Sequence, residues 1–580
     1  MLATGFAAVV VRLVDVQAVS AGRYAVVGRS QRLHESVLPA QRGAILDRNR
    51  STLAVSVPRP TVWADPQLVR DPAGAAAALA PVLDIDAQAL RSELTQPGRF
   101  VYLARRVDDD VAAKVKALKL EGIAVEEEPT RLSPPGGLAA PVLGVVGVDH
   151  DGLSGLELQY EKDLAGKPGS LLVERDPSGR DIPGGERQRR PPVRGRDLVT
   201  TIDRDLQFFT EQALADRIDA AKAKGGIAIV MEPATGEILA MANMVAGPKG
   251  ERARAAPYNK AVIDVYEPGS VNKIVTVAGA LEEDKVSTTD TWAVPDHLTI
   301  AGSTFADAEI HPTTVWTASD ILAHSSNAGA ILIGQELGKN GLSRYLDRFG
   351  LADGPHLDFP GEASGIVPDV EHWSGTSLAT LAIGYGLAVS PLQMLSAYNA
   401  IANGGVYVAP TLVKAEIDAN GKERRRPAPD EHRVVSEDTA HIVAGMLTEV
   451  VRSGTGQPAA IDGYTVAGKT GTARKAVEGG TGYKDGAYNA TFAGFFPAEA
   501  PRLSAIVVLD EPTPYTGAQA SAPVFAELAR YAARRFQVPP HPAKAAQPPA
   551  GGPGVVAAAG VAAGAAGPAA TLGPSSATRP

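Results

Sequence analysis

The sequence predicts an α+β protein in which a mostly antiparallel sheet is covered by helices and a separate domain precedes it. Three observations carry this. Strand patterns flank a helical middle: Ile227, Ile229 and Met231 alternate with smaller residues, and three further strands read at 465–473, 491–496 and 503–509. A strand–turn–strand pattern at 42–57 opens a different part of the chain. The length of 580 residues fits about two to four domains, and 44% apolar with 21% charged residues is a globular balance.

Taken in order, the first eleven residues are almost wholly apolar, shorter than the about 20 that span a bilayer, and they lack the basic start of a signal peptide. Residues 1–12 read as the remnant of a membrane helix, with a short helix packed on the domain as the alternative. Residues 13–41, with Tyr24, Gln31 and Arg32, read as a membrane-proximal linker. Arg42-Gly-Ala-Ile-Leu-Asp-Arg-Asn49 and Leu53-Ala-Val-Ser-Val57 form a hairpin around Asp47 to Ser51; structural ion pairing is expected of Arg42, Asp47 and Arg48. Ala, Leu, Glu and Lys predict helix over 70–120, and Gly152-Leu-Ser-Gly-Leu-Glu157 begins an amphipathic segment that stops at Gly166. Five arginines with Pro183, Pro191 and Pro192 in 183–196 suggest a solvated linker; anionic lipid or glycan would be the other use of such a run. The first domain is therefore set at 42–196 and the second at 197–537.

In the second domain, Pro233-Ala-Thr-Gly236 turns the first strand back through Ile238 to Met241. Residues 315–350 are helical with breaks at Gly338 and Gly350, and Ser390-Pro391 starts a helix that ends at Asn403-Gly-Gly405. Phe525, Leu528, Ala532 and Phe536 mark a last amphipathic helix. From Val538 to Pro580 the chain is Pro, Ala and Gly without an aromatic residue, too poor in apolar side chains to offset ordering, and is expected to be a disordered tail.

Composition narrows the chemistry. The mild net charge of −9 argues against nucleic-acid binding, and the absence of cysteine excludes disulfides, thiolate metal sites and cysteine nucleophiles. The ten histidines show no metal-binding spacing, so neither metal nor organic cofactor is implied.

The chemical centre is expected at Glu267-Pro-Gly-Ser-Val-Asn-Lys273. Ile274, Val277, Ala278 and Leu281 recur at the spacing of one buried helix face, so Ser270 is expected to open a helix, beside unpaired N–H groups and the positive end of its dipole. Lys273, one turn on, shares that face at a Cβ separation of roughly 5–6 Å. Alone, S-x-x-K also fits a capping serine and a surface lysine; Ser325 and Asn327 alone fit loop caps, and Lys469 an edge-strand guard. S-x-x-K and K-T-G each occur once, however, and Ser270-x-x-Lys273, Ser325-Ser-Asn327 and Lys469-Thr-Gly471 stand in the order of the penicillin-binding proteins and class A β-lactamases.

On these motifs the chain resembles a class B penicillin-binding protein from about Arg12 to Phe536. Arg42–Asn49 and Gly152–Glu157 look like signatures of that family's non-catalytic pedestal (dimerisation) domain. Tyr266–Ser270, Ala382-Ile-Gly-Tyr-Gly-Leu-Ala388 and Ala467–Ala473 look like its division-specific, FtsI-type branch. Asn272 departs from the pattern, which more often has an aromatic residue there. The resemblance implies a penicillin-binding/transpeptidase domain behind an elongated α+β pedestal, and a serine D,D-transpeptidase that cross-links peptidoglycan stem peptides ending in D-Ala-D-Ala. β-Lactams would be its inhibitors, and an FtsW-type glycosyltransferase and divisome proteins its partners. The location implied is the cytoplasmic membrane, single-pass with the catalytic domain outside.

A serine hydroxyl needs a base, and a lysine serves if its pKa falls from about 10.4, as burial and a second cation both make it do. Ser270 is thus expected as nucleophile, Lys273 as base and Lys469 as the second cation. Ser325 would relay the proton, and Asn327 would hold Lys273 and the substrate amide. Lys469, Thr470 and Thr472 would hold the terminal carboxylate, and Gly471 would let the substrate backbone lie close. The resemblance places the oxyanion hole at the N–H groups of Ser270 and Thr472. A D,D-carboxypeptidase or β-lactamase-type hydrolase, or a non-catalytic β-lactam sensor or divisome scaffold, are the alternatives.

Overall fold

The computed structural model describes residues 2–19, 22, 32–134, 136–176, 182–477 and 479–540. Helix α1 (Leu2–Val14) comes first, largely exposed. At 13 residues it is about 20 Å long, and no helix among the described residues is long and apolar enough to cross a membrane. Of the linker expected at 13–41, residues 20, 21 and 23–31 lie outside the described residues, and Leu33–Leu38 is a strand, β1. β2 (Ile45–Leu46) and β3 (Thr52–Ala64) form the expected hairpin.

The stretch read as helical contains α2 (Pro72–Leu83), α3 (Ala87–Leu94) and α4 (Asp109–Ala117), but β4 (Val101–Ala104) interrupts it. Pairing with the end of β3 overrides local propensity there. β5 (Ile123–Leu132) runs antiparallel to β3 over its whole length, and Val62, Ala64, Leu79, Leu90, Leu103 and Val115 close a small core beneath the three helices.

After the short helix α5 (Gly155–Gln159) come β6 (Gly169–Glu174), which pairs with β1, and β7 (Arg187–Arg190), which pairs with β6. The arginine run is therefore partly a sheet strand, with Arg194 on Asp197 and Arg196 on Asp163 and Glu416, and not a free linker.

β8 (Asp197–Thr200) then joins the two halves. One side runs parallel to β2; the other pairs with β12 (Val413–Ile417), which carries β13 (Glu423–Arg425). To place these, the intervening chain forms α6 (Arg204–Ala221), β9 (Gly225–Met231), β10 (Ile238–Val245), β11 (Arg254–Ala255), α7 (Lys273–Glu282), α8 (Asn327–Arg348, interrupted at Gly338) and α9 (Pro391–Ala402, with its expected Ser390 cap). The separation expected at 196/197 is thus bridged by one seven-stranded sheet, and Ile45 and Leu53 share a core with Ile274 and Leu395.

α10 (Glu437–Arg452) leads into β14 (Ala467–Ala476), β15 (Tyr483–Phe496), β16 (Leu503–Asp510) and α11 (Ala522–Arg535). These strands complete an antiparallel sheet in the order β11-β10-β9-β16-β15-β14. Alternation splits its side chains between two layers. Ala228, Val230, Phe492, Val507 and Leu509 pack with Leu214 of α6 and Phe525 of α11; Ile227, Ile229, Phe495, Ile506 and Val508 pack with α7, α8, α9 and α10. β14 is an edge strand, so alternate N–H groups face away from the sheet. The tail expected from Val538 lies outside the described residues from His541 onward.

The hairpin charges are structural, as expected. Arg42, 3% exposed, donates to Glu157 Oε2 (2.6 Å) and meets Glu161 (2.7 Å), while Arg131 takes the other Glu157 oxygen (2.7 Å). Asp47 accepts the N–H groups of Asn49 and Ser51, and Arg48 meets Glu237. Glu157→Ala would leave Arg42 and Arg131 buried without it. It should lower stability by about 3–5 kcal/mol in chemical denaturation, whereas an Ala substitution at the exposed Lys114–Asp110 pair should leave the denaturation midpoint nearly unchanged.

Candidate active site

Ser270 does not cap a helix. It sits in a 3-10 turn, Gly269–Asn272, that runs into α7, and no side-chain cap bond is made. Gly269 has φ +60°, and its N–H donates to Gly384 O at 2.9 Å. Gly384 has φ +83°, and a Cβ there would stand 2.1 Å from Gly269 O, so glycine is required on both sides of this contact. Asn272 Nδ2 donates to Leu381 O (3.0 Å), Thr276 to Ala382 O (2.9 Å) and the Tyr398 hydroxyl to Val271 O (2.9 Å). The Ala382–Ala388 motif and its neighbours thus brace the turn. Asn272, the departure from the family pattern, is wholly buried in this brace.

Lys273 has no exposed surface. Its Nζ donates to Ser325 O (2.6 Å) and Asn327 Oδ1 (2.8 Å). Burial pulls its pKa down to about 7, against the Asp307 carboxylate, which holds it up. Lys469, on β14, is equally buried and donates to Thr470 O (3.2 Å). Burial, and then the charge of Lys273, push it well below the ordinary lysine range.

Ser325 lies in the left-handed region (φ +59°) while its neighbour Ser326 caps α8, accepting from Gly329 N. The capping role thus falls to Ser326, and Ser325 Oγ is left to line the cleft. Thr470 Oγ1 pairs with Thr455 Oγ1 (2.8 Å), and Thr472 Oγ1 accepts from Gly517 N (3.2 Å). A Cβ on Gly471 would stand 3.1 Å from Pro268 O and from Val271 Cγ1. That glycine lets β14 close on the Ser270 turn, a packing role beside the substrate contact expected of it.

Ser270, Ser325, Asn327, Thr470 and Thr472 line one cleft of about 790 Å³, with Lys273 and Lys469 buried behind it. Asp307, His311, Trp316, Tyr385, Thr455 and Thr516 complete its walls. Tyr385 lies in the Ala382–Ala388 motif and Trp316 on the strand Thr314–Thr317; the others come from segments without a spacing pattern, and Ser453-Gly-Thr-Gly456 offers at most a turn signal. A larger cavity, about 920 Å³, is lined by Glu237, Lys414, Arg425 and Arg426 and contains none of the expected site residues. Among the described residues no cluster fits a metal ion. A serine hydroxyl, two buried amines and a hydroxyl-lined strand edge are groups that can take an acyl group and hold a carboxylate.

This fold and cleft define a penicillin-recognising serine acyltransferase class. Residues 226–530 match the penicillin-binding protein transpeptidase domain, and 37–200 the penicillin-binding protein dimerisation domain. The chain belongs to the class B penicillin-binding proteins, on their FtsI-type branch. It is 36% identical over 543 residues to penicillin-binding protein PbpB of Mycobacterium tuberculosis, covering 87% of this chain and 79% of that one. It is 33% identical over 554 residues to peptidoglycan D,D-transpeptidase FtsI of Escherichia coli, covering 91% and 89%. Among solved structures it resembles penicillin-binding protein 3 of Mycobacterium tuberculosis complexed with aztreonam (TM-score 0.68, 31% identity, 87% of this chain and 98% of that one).

Lys273 can accept a proton only as the neutral amine, the form favoured above its pKa of about 7. Acylation by a fluorescent penicillin should therefore rise about tenfold per pH unit below that point and level off above it. A rate unchanged from acidic to alkaline pH would remove Lys273 as the base.

Proposed function

We propose that this protein is a serine D,D-transpeptidase that cross-links peptidoglycan in septal wall synthesis. The observation that carries it is the pair of fully buried lysines behind the Ser270 cleft, one of them hydrogen-bonded to Asn327. Ser270 Oγ attacks the carbonyl carbon of the penultimate D-Ala as Lys273 takes its proton. The N–H groups of Ser270 and Thr472 receive the oxyanion, the second of them on an edge strand with donors to spare. The C–N bond then breaks, Ser325 passes a proton to the nitrogen, and D-Ala leaves. The amine of a second stem peptide attacks the ester, forms the cross-link and returns Ser270. Asn327 also holds the donor's amide.

Lys469, Thr470 and Thr472 take the donor's terminal carboxylate. Its negative charge offsets the repulsion between the lysines and favours the ammonium form of Lys469. A β-lactam presents the same carboxylate and acyl carbon, and acylates Ser270. The two domains, 42–196 as pedestal and 197–537 as transpeptidase, hold the cleft outside the cytoplasmic membrane, working beside an FtsW-type glycosyltransferase and divisome proteins.

The test is labelling of the purified chain with a fluorescent penicillin, followed by a chase. One label per chain that survives the chase, and none on Ser270→Ala, is expected. Turnover of many equivalents would make the protein a hydrolase, and label on Ser270→Ala would place the nucleophile elsewhere.

A further inference from the structure

One wall of the cleft carries a charged pair to which no role has been given. Asp307 follows the strand Ser303–Ala306, and its side chain is 6% exposed. Its Oδ1 accepts the N–H groups of Asn327 (2.5 Å) and Ala328 (2.9 Å), the first residues of α8, and its Oδ2 lies 3.0 Å from His311 Nε2. His311 Nδ1 lies 2.8 Å from Pro312 O. A carboxylate and a carbonyl can only accept, so both ring nitrogens are satisfied only when both carry protons. This geometry selects the imidazolium, and the same two partners raise the pKa of His311 above its ordinary value.

Asn327 is held from two sides by this segment. Asp307 takes its backbone N–H and Ala306 O takes its Nδ2–H (2.7 Å), which turns Oδ1 toward Lys273 Nζ at 2.8 Å. We propose that Asp307 and His311 are positioning residues of the catalytic centre: the His311–Asp307 ion pair clamps Asn327 in the orientation that holds Lys273. The inference rests on Lys273 being the base of the transpeptidase reading above.

The pair also sets the charge that Lys273 meets. The carboxylate of Asp307 favours the ammonium form, and the imidazolium offsets part of that field. The other charged group beside Lys273 is Lys469; Ser325 O and Asn327 Oδ1 are neutral. Around His311 stand Asp307, Asp296 and the Trp316 ring (4.7 Å), with His324 stacked on Trp316 and Glu309 on the same wall. Loss of the Asp307 charge must therefore lower the pH at which Lys273 becomes neutral, and loss of the His311 charge must raise it.

The experiment measures the acylation rate of the full chain with a fluorescent penicillin against pH, for wild type, Asp307→Asn and His311→Gln. Asn keeps an oxygen for the α8 N–H groups, and Gln keeps an N–H for Asp307, so each variant removes charge with little change of shape. The rising limb should move down by about one pH unit in Asp307→Asn and up in His311→Gln. Wild-type limbs in both, or a lower rate without displacement, overturn the proposal. If Asp307→Asn does not fold, the direction of the His311→Gln limb decides alone. A wild-type chain that takes no label defeats the transpeptidase reading first, and this one with it.

Discussion

Two lysine amines buried together in one protein interior are the constraint on which this architecture turns. Taking an ammonium out of water costs several kcal/mol even after relaxation, and a second one nearby adds repulsion. The fold meets this cost with few groups. Ser325 O and Asn327 Oδ1 solvate Lys273, Asp307 supplies a counter-charge, and Lys469 is pushed toward the neutral amine. The outcome is an amine near neutrality within one helical turn of a serine, which a surface lysine cannot provide.

Holding that arrangement requires the rigid surroundings that the sheet and its helices supply. β14 delivers Lys469 from the edge of the sheet, where one side is paired with β15 and the other closes on the Ser270 turn. Gly269, Gly384 and Gly471 each remove a Cβ where backbone meets backbone or side chain, so three segments distant in sequence come within contact distance. The α7 and α8 helices fix the remaining groups by packing in the larger of the two cores that the sheet separates. Large buried side chains such as Tyr345, Tyr398 and Phe495 make that layer stiff.

The N-terminal half is tied into the same frame. β8 joins β2 to β12, so the first hairpin and the later part of the chain share backbone hydrogen bonds. The Arg42–Glu157–Arg131 cluster stitches the hairpin to α5 and β5 through charges that are almost fully buried. A buried cluster of this kind is weak evidence of stability but strong evidence of a specified pairing, because any other partner would leave a charge alone.

Much of this was legible in the chain itself. Alternation at Ile227–Met231, the Pro233–Gly236 turn, the Ser390-Pro391 start and the last amphipathic helix all follow from local periodicity and capping, and the structure contains each of them. The site motifs were legible because Ser270, Lys273, Ser325, Asn327 and Lys469 are few, ordered and chemically distinctive. Pairing partners were not: β1, β4 and β7 read as linker or helix, since a short strand is decided by the edge that receives it. Nor could the sequence reveal the bracing of the Ser270 turn by Gly384, the packing task of Gly471, or the approach of Asp307, with His311 on it, to Asn327. The sequence by itself determined which groups could do the chemistry and where helices and main strands run, because those depend on residue type and near neighbours. Only the tertiary structure decided burial, and burial is what separates a reactive amine from a solvated one.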